Sequence, residues 1–341
     1  MLGWRQMPDH AAVDVHAHGI PRTVLDEIRR NGARYGGMEV AEGEQGPVVS
    51  LPGGKKLRPL AAKMLDFTER VRWLDEHGLR GQVVSPWLDM QGHELTPQAG
   101  ADWAKVLNDA LAEACSGSGG RLVALGTVPF GDPAASVREL RRLVRELRLP
   151  GAMISTNPGA TNLWDPALDE LWSAAEDLQA AIVLHPPTFG PASGIPDSAE
   201  FGNLWHRLID TTLVASRLIL NGVLDRHPRL RLVLVHGGGF LPFQSGRFDR
   251  SYAIGSHPAA SMAKGAPGDY LRSFYYDTCV MTPPAIRLLC QVAGPERVVL
   301  GSDYPFPIGD PDPVRSVAAA NLGADAERQI LEENPNILLG S

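Results

Sequence analysis

An aspartate and two histidines, residue types that bind metals, alternate with apolar residues along one short segment near the start of the chain. The segment reads Ala12-Val13-Asp14-Val15-His16-Ala17-His18-Gly19. If it is a β-strand, Asp14, His16 and His18 share one face, and the apolar residues between them share the other face, which would pack against helices. Two imidazoles two residues apart on one strand face can reach a single metal ion. The segment therefore predicts two ligands of a metal site.

The remaining ligands are expected at the ends of later strands. Three further apolar runs lead to such residues. The runs 182–184 and 232–235 are followed directly by His185 and His236, and the run 298–300 is followed, after two residues, by Asp303. A buried strand that ends in such a residue presents it at the C-terminal mouth of a parallel barrel, where barrel enzymes carry their chemistry. One such residue alone is usually a hydrogen-bonded polar group. Agreement at four strand ends predicts one shared site.

The elements that must position these residues alternate along the chain. Strands are predicted at 12–18, 82–85, 122–128, 152–155, 181–185, 230–236, 274–280 and 297–302. Helical patterns cover 66–78, 97–116, 132–148, 166–178, a long stretch ending near 227, 240–255, 267–272, 283–293, 313–321 and 324–333. Eight apolar strands interleaved with helices predict the α/β class and a single, somewhat distorted (β/α)8 TIM barrel over 1–341. An excursion at about 30–60, rich in Gly and Pro, follows the first strand and is expected to hold a small hairpin around 48–57.

Composition limits the classes of function. The chain has 341 residues, 44% of them hydrophobic, and a net charge of -7, which predicts a soluble protein without affinity for nucleic acid or an anionic membrane. No apolar run approaches the length of about 18 residues that a membrane span needs. Cys115, Cys279 and Cys290 form no close pair, which is typical of a reducing compartment, so a cytoplasmic location is expected.

The motifs resemble those of a known superfamily. His16-Ala17-His18, His185, His236 and Gly301-Ser302-Asp303, in this order, resemble the amidohydrolase superfamily. Within it, 14–18, His236-Gly237-Gly238-Gly239-Phe240 and 301–307 resemble the branch of aminocarboxymuconate-semialdehyde decarboxylase, which includes metal-dependent decarboxylases of hydroxybenzoates. The similarity covers nearly the whole chain.

The resemblance implies a metal site and a proton-handling residue. His16, His18, His185 and Asp303 would hold one divalent ion, with His236 beside it as a catalytic residue. Many amidohydrolases bridge two metals with a lysine at the end of the fourth strand, but here that end reads 154–157, Ile-Ser-Thr-Asn, and no Lys occurs between 106 and 263. One ion is therefore expected. Three nitrogens and one carboxylate suit Zn²⁺, with Mn²⁺ as the alternative.

Two arginines are expected to bind a substrate carboxylate. Arg58 and Arg247 occupy positions that resemble the family's carboxylate-binding arginines, and guanidinium pairs with carboxylate through a bidentate fork. In the family the second of them reaches across a dimer interface, which predicts a homodimer. The opposing interpretation, that both are solvated surface residues, stays open in a chain rich in arginine. Asp277 and Trp205 are candidates for lining the pocket.

These residues predict a metal-dependent, non-oxidative decarboxylase of an aromatic or conjugated unsaturated carboxylic acid. His236, or Asp303 acting through the metal site, would deliver a proton to the carbon that loses carbon dioxide. The segment after His185 reads Pro186-Pro187-Thr188-Phe189-Gly190 and departs from the muconate-semialdehyde enzymes, so no individual substrate is predicted. The alternative is a hydrolase or hydratase of the same family that uses metal-activated water.

Overall fold

Eight parallel strands close into a ring. The computed structural model describes residues 12–159, 161–256 and 262–340, so residues 1–11, 160, 257–261 and 341 of the predicted domain lie outside the description. The barrel strands are β1 (Ala12–Gly19), β4 (Leu79–Pro86), β5 (Leu122–Ala124), β6 (Gly151–Ser155), β7 (Ala181–His185), β8 (Arg231–Leu234), β9 (Phe274–Asp277) and β10 (Val298–Val299). One parallel arc has the order β1-β4-β5, and the other has the order β10-β9-β8-β7-β6.

Backbone hydrogen bonds join the two arcs at both seams. Gly126 donates to the carbonyl of Gly151 at 3.0 Å, which connects the end of β5 to β6. On the other side Val15 donates to the carbonyl of Leu300 at 2.9 Å, which connects β1 to the end of β10. The ring is therefore closed in chain order, and the predicted barrel is confirmed.

Helices cover the outside of the ring, and two of them begin at an aspartate that caps the first turn. Asp66 caps one helix by accepting from the backbone N–H of Thr68, and Asp132 caps another through Ala134. The helices are α1 (Arg22–Asn31), α2 (Ala62–Leu65), α3 (Phe67–Glu76), α4 (Pro97–Ser116), α5 (Pro133–Arg145), α6 (Asp169–Asp177), α7 (Arg207–Leu220), α8 (Val223–Arg226), α9 (Leu241–Ala253), α10 (Pro283–Ala293), α11 (Pro313–Ala319), α12 (Ala324–Arg328) and α13 (Asn334–Leu339). Of these, α1, α2 and α13 are not among the predicted helices, and the predicted helix at 267–272 is a 3-10 helix, Pro267–Ser273.

The core has two layers that follow the alternation of strand side chains. One layer lies between the strands and the helices and includes Ile182 of β7 with Leu171 and Leu218 of the helices. The other fills the ring and is built almost entirely from strand residues such as Val183 and Val233. None of the described helices is long and apolar enough to span a membrane.

A register shift in β1 corrects the predicted arrangement of its side chains. Val15 packs inside the ring, whereas Asp14 binds Gln82, the partner of Arg70 on α3, so Asp14 faces the helices. Between Asp14 and Ala17 the pairing with β4 shifts, and β1 uses one residue more than its partner. The expectation that Asp14 shares a face with the two histidines is therefore wrong, because a bulge re-aims the strand next to the site.

The excursion after β1 forms a small sheet over the mouth of the barrel. β2 (Glu39–Ala41) and β3 (Val48–Ser50) pair antiparallel, a pairing that the sequence analysis did not predict. The predicted hairpin around 48–57 is present as a Ser50–Lys56 bridge. Leu51 and Leu57 bury this sheet against an apolar cluster that includes Trp87, and Arg58 follows directly.

Candidate metal centre and active site

Four buried donor groups converge at the C-terminal mouth of the ring. One ligand atom each of His16, His18, His185 and Asp303 lies within 4.8 Å of the others. The Nε2 atoms of His16 and His18 are 3.2 Å apart, and Asp303 Oδ1 lies 3.4 and 3.2 Å from them. Three imidazoles and one carboxylate at these separations surround a space suited to one divalent ion.

The hydrogen bond of His185 leaves its inner nitrogen free for an ion. His185 Nδ1 donates to the carbonyl oxygen of Pro186 at 2.8 Å, so its Nε2 carries the lone pair. That Nε2 is buried and has no hydrogen-bond partner in the described residues. A buried nitrogen that faces other donors without a partner is costly unless an ion satisfies it. The donor set therefore fits a metal ion.

Burial and neighbouring charges set the protonation of the donors. Burial lowers the pKa of His18 to about 4, and burial lowers that of His185 well below its ordinary value, so both are neutral at pH 7. Burial alone would raise the pKa of Asp303, but the nearby His16 and the hydrogen-bonded His18 hold it well below its usual range. For His16 burial opposes the charged form, yet the carboxylates of Asp303 and Asp277 outweigh it and raise the pKa. Two neutral imidazoles beside a carboxylate are in the form that binds a cation.

His236 and Asp303 both stand on strained backbone. Their φ angles are 54° and 59°, in the left-handed region that side chains rarely adopt. His236 lies two residues past β8, at the start of a 3-10 turn, and Gly237 follows it because a Cβ there would meet Val280 at 2.2 Å. Such strain is typical of functional positions. It places His236 Nε2 3.7 Å from Asp303 Oδ2, beside the four donors and outside their set.

Asp277 accepts a hydrogen bond from the His16 ring, on the side away from the other donors, instead of lining the cavity. It is fully buried at the end of β9, and its Oδ2 accepts from His16 Nδ1 at 2.6 Å. Its Oδ1 accepts from the backbone of Gly237 at 2.8 Å. A carboxylate behind a metal-binding histidine fixes the ring's tautomer and orientation. The predicted position near the mouth is right, but the side chain serves His16.

We expect Asp277→Asn to weaken metal binding by about 10–100-fold. The amide fits the same space, yet its N–H would donate to His16 Nδ1 and move the imidazole proton to Nε2, the atom that faces the ion. Metal affinity would be measured by competition with a chromophoric chelator. An unchanged melting temperature of the metal-free protein would separate this effect from loss of folding, and unchanged affinity would contradict it.

Arg58 overhangs the donor cluster at the mouth. It shares a cavity of about 190 Å³ with His185, Asp303 and Phe306. Its guanidinium carbon lies 4.4 Å from the ring centre of Phe306 and 5.0 Å from that of Trp87. Cation–π contacts hold the group in place without consuming its hydrogen-bond donors. The structure therefore brings Arg58 to the site.

The other two candidates, Arg247 and Trp205, are not among the residues that line this cavity. Arg247 is exposed on α9 and has no ion-pair or hydrogen-bond partner in the described part of the same chain. Trp205 stacks against Phe201 at 5.7 Å and is not among the residues that line the cavities at the donor cluster. The ring of Trp205 also contacts His206, and the role of Trp205 in lining the pocket stays a prediction.

Arg207 and Asn203 are cavity residues that the sequence analysis missed. Both line the cavity under Arg58 and an adjoining cavity of about 210 Å³ that reaches His236. The adjoining cavity has an apolar wall that includes Leu208 and Met281. Arg207 is the first residue of α7, directly after the loop that follows His185, and that location was the available signal.

The family model of the amidohydrolases matches residues 13–340 of this chain. The chain belongs to the amidohydrolase family. Within the family it is 30% identical over 301 residues to 2-amino-3-carboxymuconate-6-semialdehyde decarboxylase of Dictyostelium discoideum, a match that covers 87% of this chain and 82% of the relative. It is 31% identical over 265 residues to gamma-resorcylate decarboxylase of Rhodococcus jostii, covering 72% and 80%. The crystal structure of 5-carboxyvanillate decarboxylase from Sphingomonas paucimobilis superposes with a TM-score of 0.81 at 25% identity, covering 97% of this chain and 99% of that one. The amidohydrolase resemblance drawn from the motifs is thereby confirmed.

Proposed function

We propose that this amidohydrolase is a metal-dependent, non-oxidative decarboxylase of an aromatic or conjugated unsaturated carboxylic acid. The observation that carries the proposal is the position of His236, 3.7 Å from Asp303 beside a three-histidine, one-carboxylate cluster, under a cavity with an arginine at its mouth. The relatives at 30% and 31% identity are decarboxylases of such acids.

His16, His18, His185 and Asp303 are the proposed ligands of one divalent ion. We favour Zn²⁺ on the three-nitrogen, one-oxygen donor set, with Mn²⁺ as the alternative. When bound, the ion supplies positive charge that stabilises negative charge developing on a substrate oxygen. The cytoplasm is the proposed location, from the free cysteines.

The protein's own residues would perform the remaining steps. Arg58 binds a substrate carboxylate, and the faces of Phe306 and Trp87 hold that arginine. As the bond from carbon to the carboxylate breaks, its electron pair stays on the carbon and carbon dioxide leaves. His236 donates a proton to that carbon, which avoids a free carbanion. The apolar wall of Leu208 and Met281 keeps water from this carbon.

The test is metal-dependent release of carbon dioxide from a panel of hydroxybenzoates, related aromatic acids and muconate-type acids. We expect release by protein loaded with Zn²⁺ or Mn²⁺ and none after chelation, with recovery when metal returns. Protein that carries about one ion per chain and releases no carbon dioxide, but hydrates or hydrolyses unsaturated diacids or lactones, would replace this proposal with the water-activating alternative.

Arg247 is proposed to complete the site of a second copy in a homodimer. Its exposure on α9, away from its own cavity, suits a residue that acts on a partner. If so, Arg247→Gln and His236→Asn, each nearly inactive, should complement when co-expressed. Heterodimers isolated with two affinity tags should have about half of wild-type activity, since one of their two sites is intact. Inactive heterodimers, or a protein that is monomeric by light scattering, would contradict the arrangement.

A further inference from the structure

Two guanidinium groups face the same cavity, and neither forms an ion pair with a carboxylate of the described residues. Arg58 and Arg207 both line the space above His185 and Asp303. Burial, followed by the charge of Arg207, lowers the pKa of Arg58, as expected of two cations that face each other. Within the ranges 12–159, 161–256 and 262–340, no carboxylate lies within 4 Å of either guanidinium. Asp303 is the negative group that shares this cavity, and it is a proposed metal ligand, so both guanidinium groups remain available to anionic groups of a substrate.

Arg207 is held by neutral oxygen atoms only. Its Nη1 donates to the carbonyl of Pro186 at 2.7 Å, its Nη2 to Thr188 Oγ1 at 3.0 Å, and its Nε to Asn203 Oδ1 at 2.9 Å. A guanidinium has five N–H donors, so two remain. The three bonds fix the plane of the group in the way a bidentate anion site requires, without cancelling its charge.

A second layer of contacts positions this arginine. The Thr188 hydroxyl donates to Asp89 Oδ2 at 2.6 Å, and the Thr188 backbone donates to Asp89 Oδ1 at 3.1 Å. With its hydrogen committed to Asp89, the Thr188 oxygen can only accept, and it accepts from Arg207. Asp89 and Thr188 are therefore positioning residues, and Thr188 belongs to the segment in which this chain departs from the muconate-semialdehyde enzymes.

We propose that Arg207 binds a second anionic group of the substrate, so that this site selects acids carrying two carboxylates over acids carrying one. The inference rests on the proposed function for the identity of the reacting carboxylate, and it adds the specificity-determining residue. One carboxylate pairs with Arg58, and the other with the two free N–H groups of Arg207. A substrate with one carboxylate leaves one guanidinium without a counter-charge in a partly desolvated cavity, which costs affinity.

The test compares two inert probes that differ by one carboxylate, isophthalate and benzoate. Each is titrated by calorimetry into the Zn-loaded protein, so turnover is not required. We expect isophthalate to bind at least about tenfold more tightly than benzoate, which is the range for one added charged hydrogen-bonded pair. Arg207→Gln should reduce this ratio to within about twofold of unity, mainly through weaker isophthalate binding, and Arg207→Lys should keep part of it.

Arg217→Gln is the matched control, because Arg217 lies on the same helix about 15 Å further along and packs on Trp164. It should leave the ratio unchanged. Thr188→Val should lower the ratio part of the way by releasing Arg207, with metal content unchanged.

Three outcomes would overturn the proposal. Wild-type protein that binds the two probes equally has no second anion site. Arg207→Gln that weakens both probes alike, or that releases metal, would mean that the arginine only holds the Pro186 carbonyl and thereby His185. If the Arg207→Gln variant keeps the wild-type ratio of isophthalate to benzoate binding, the second anion site does not include Arg207. Absence of carbon dioxide release would overturn the proposed reaction and leave this binding result standing.

Discussion

His236→Asn should lower kcat by about 10²–10⁴-fold and leave one metal ion bound per chain. The His236 side chain is 10% exposed, faces the cavity that contains Met281 and packs against the rings of His16 and His185. Its nitrogen is not one of the four converging donors. The substitution therefore removes the proposed proton donor but leaves the four metal-binding side chains in place.

Asparagine is the appropriate replacement because His236 has a φ of 54°, a conformation that Asn tolerates better than most residues. The measurements are steady-state kcat on the substrate found in the panel and metal content by mass spectrometry. His77→Asn serves as the control, since His77 directly follows α3, bonds the Trp73 carbonyl and lies outside the donor cluster. Loss of metal from His236→Asn would overturn this division of roles.

Asp303→Asn should abolish activity by a different route, through loss of the ion. Asp303 is the one anionic donor of the cluster, and its Oδ1 lies within 3.4 Å of both β1 histidines. A neutral amide removes that charge, so we expect metal affinity to fall by more than about 100-fold, beyond the effect of losing a supporting residue. Asn again suits the backbone, since φ at Asp303 is 59°.

The measurements are metal content after dialysis against a weak chelator and activity as a function of added metal. Asp310→Asn is a matched control, because Asp310 is a buried acid of the same loop that accepts from the backbone of Asp312 and lies outside the donor cluster. Full metal occupancy in Asp303→Asn would remove Asp303 from the ligand set.

The sequence predicted the barrel and the convergence of its polar strand ends, since both follow from local patterns. Strand periodicity and a terminal His or Asp need no knowledge of distant contacts, and the positions of His185 and Asp303 show this. The predicted orientation of the Asp14 side chain is wrong because the bulge in β1 depends on pairing with β4. At the Asp14–Gln82 contact the two strands are 68 residues apart in the sequence.

Side chains positioned by loops could not be predicted in the same way. Arg207 is not among the predicted site residues, since nothing in the sequence distinguishes it from the other arginines of the chain. What distinguishes Arg207 is the Pro186 carbonyl and the Thr188 hydroxyl, which only the folded loop brings to it. The support that Asp277 gives His16 likewise joins residues 261 positions apart.

The donor cluster also ties together the two ends of the chain. His16 and His18 belong to the arc of β1, β4 and β5, while His185 and Asp303 belong to the arc that ends with β10. An ion held by all four would connect the two arcs near the seam where Val15 donates to the carbonyl of Leu300. By mass action, binding of the ion would add about 2.7 kcal/mol to the free energy of unfolding when the concentration of free metal is 100 times Kd. Bound metal would then raise the resistance of the folded protein to proteolysis, besides taking part in the chemistry.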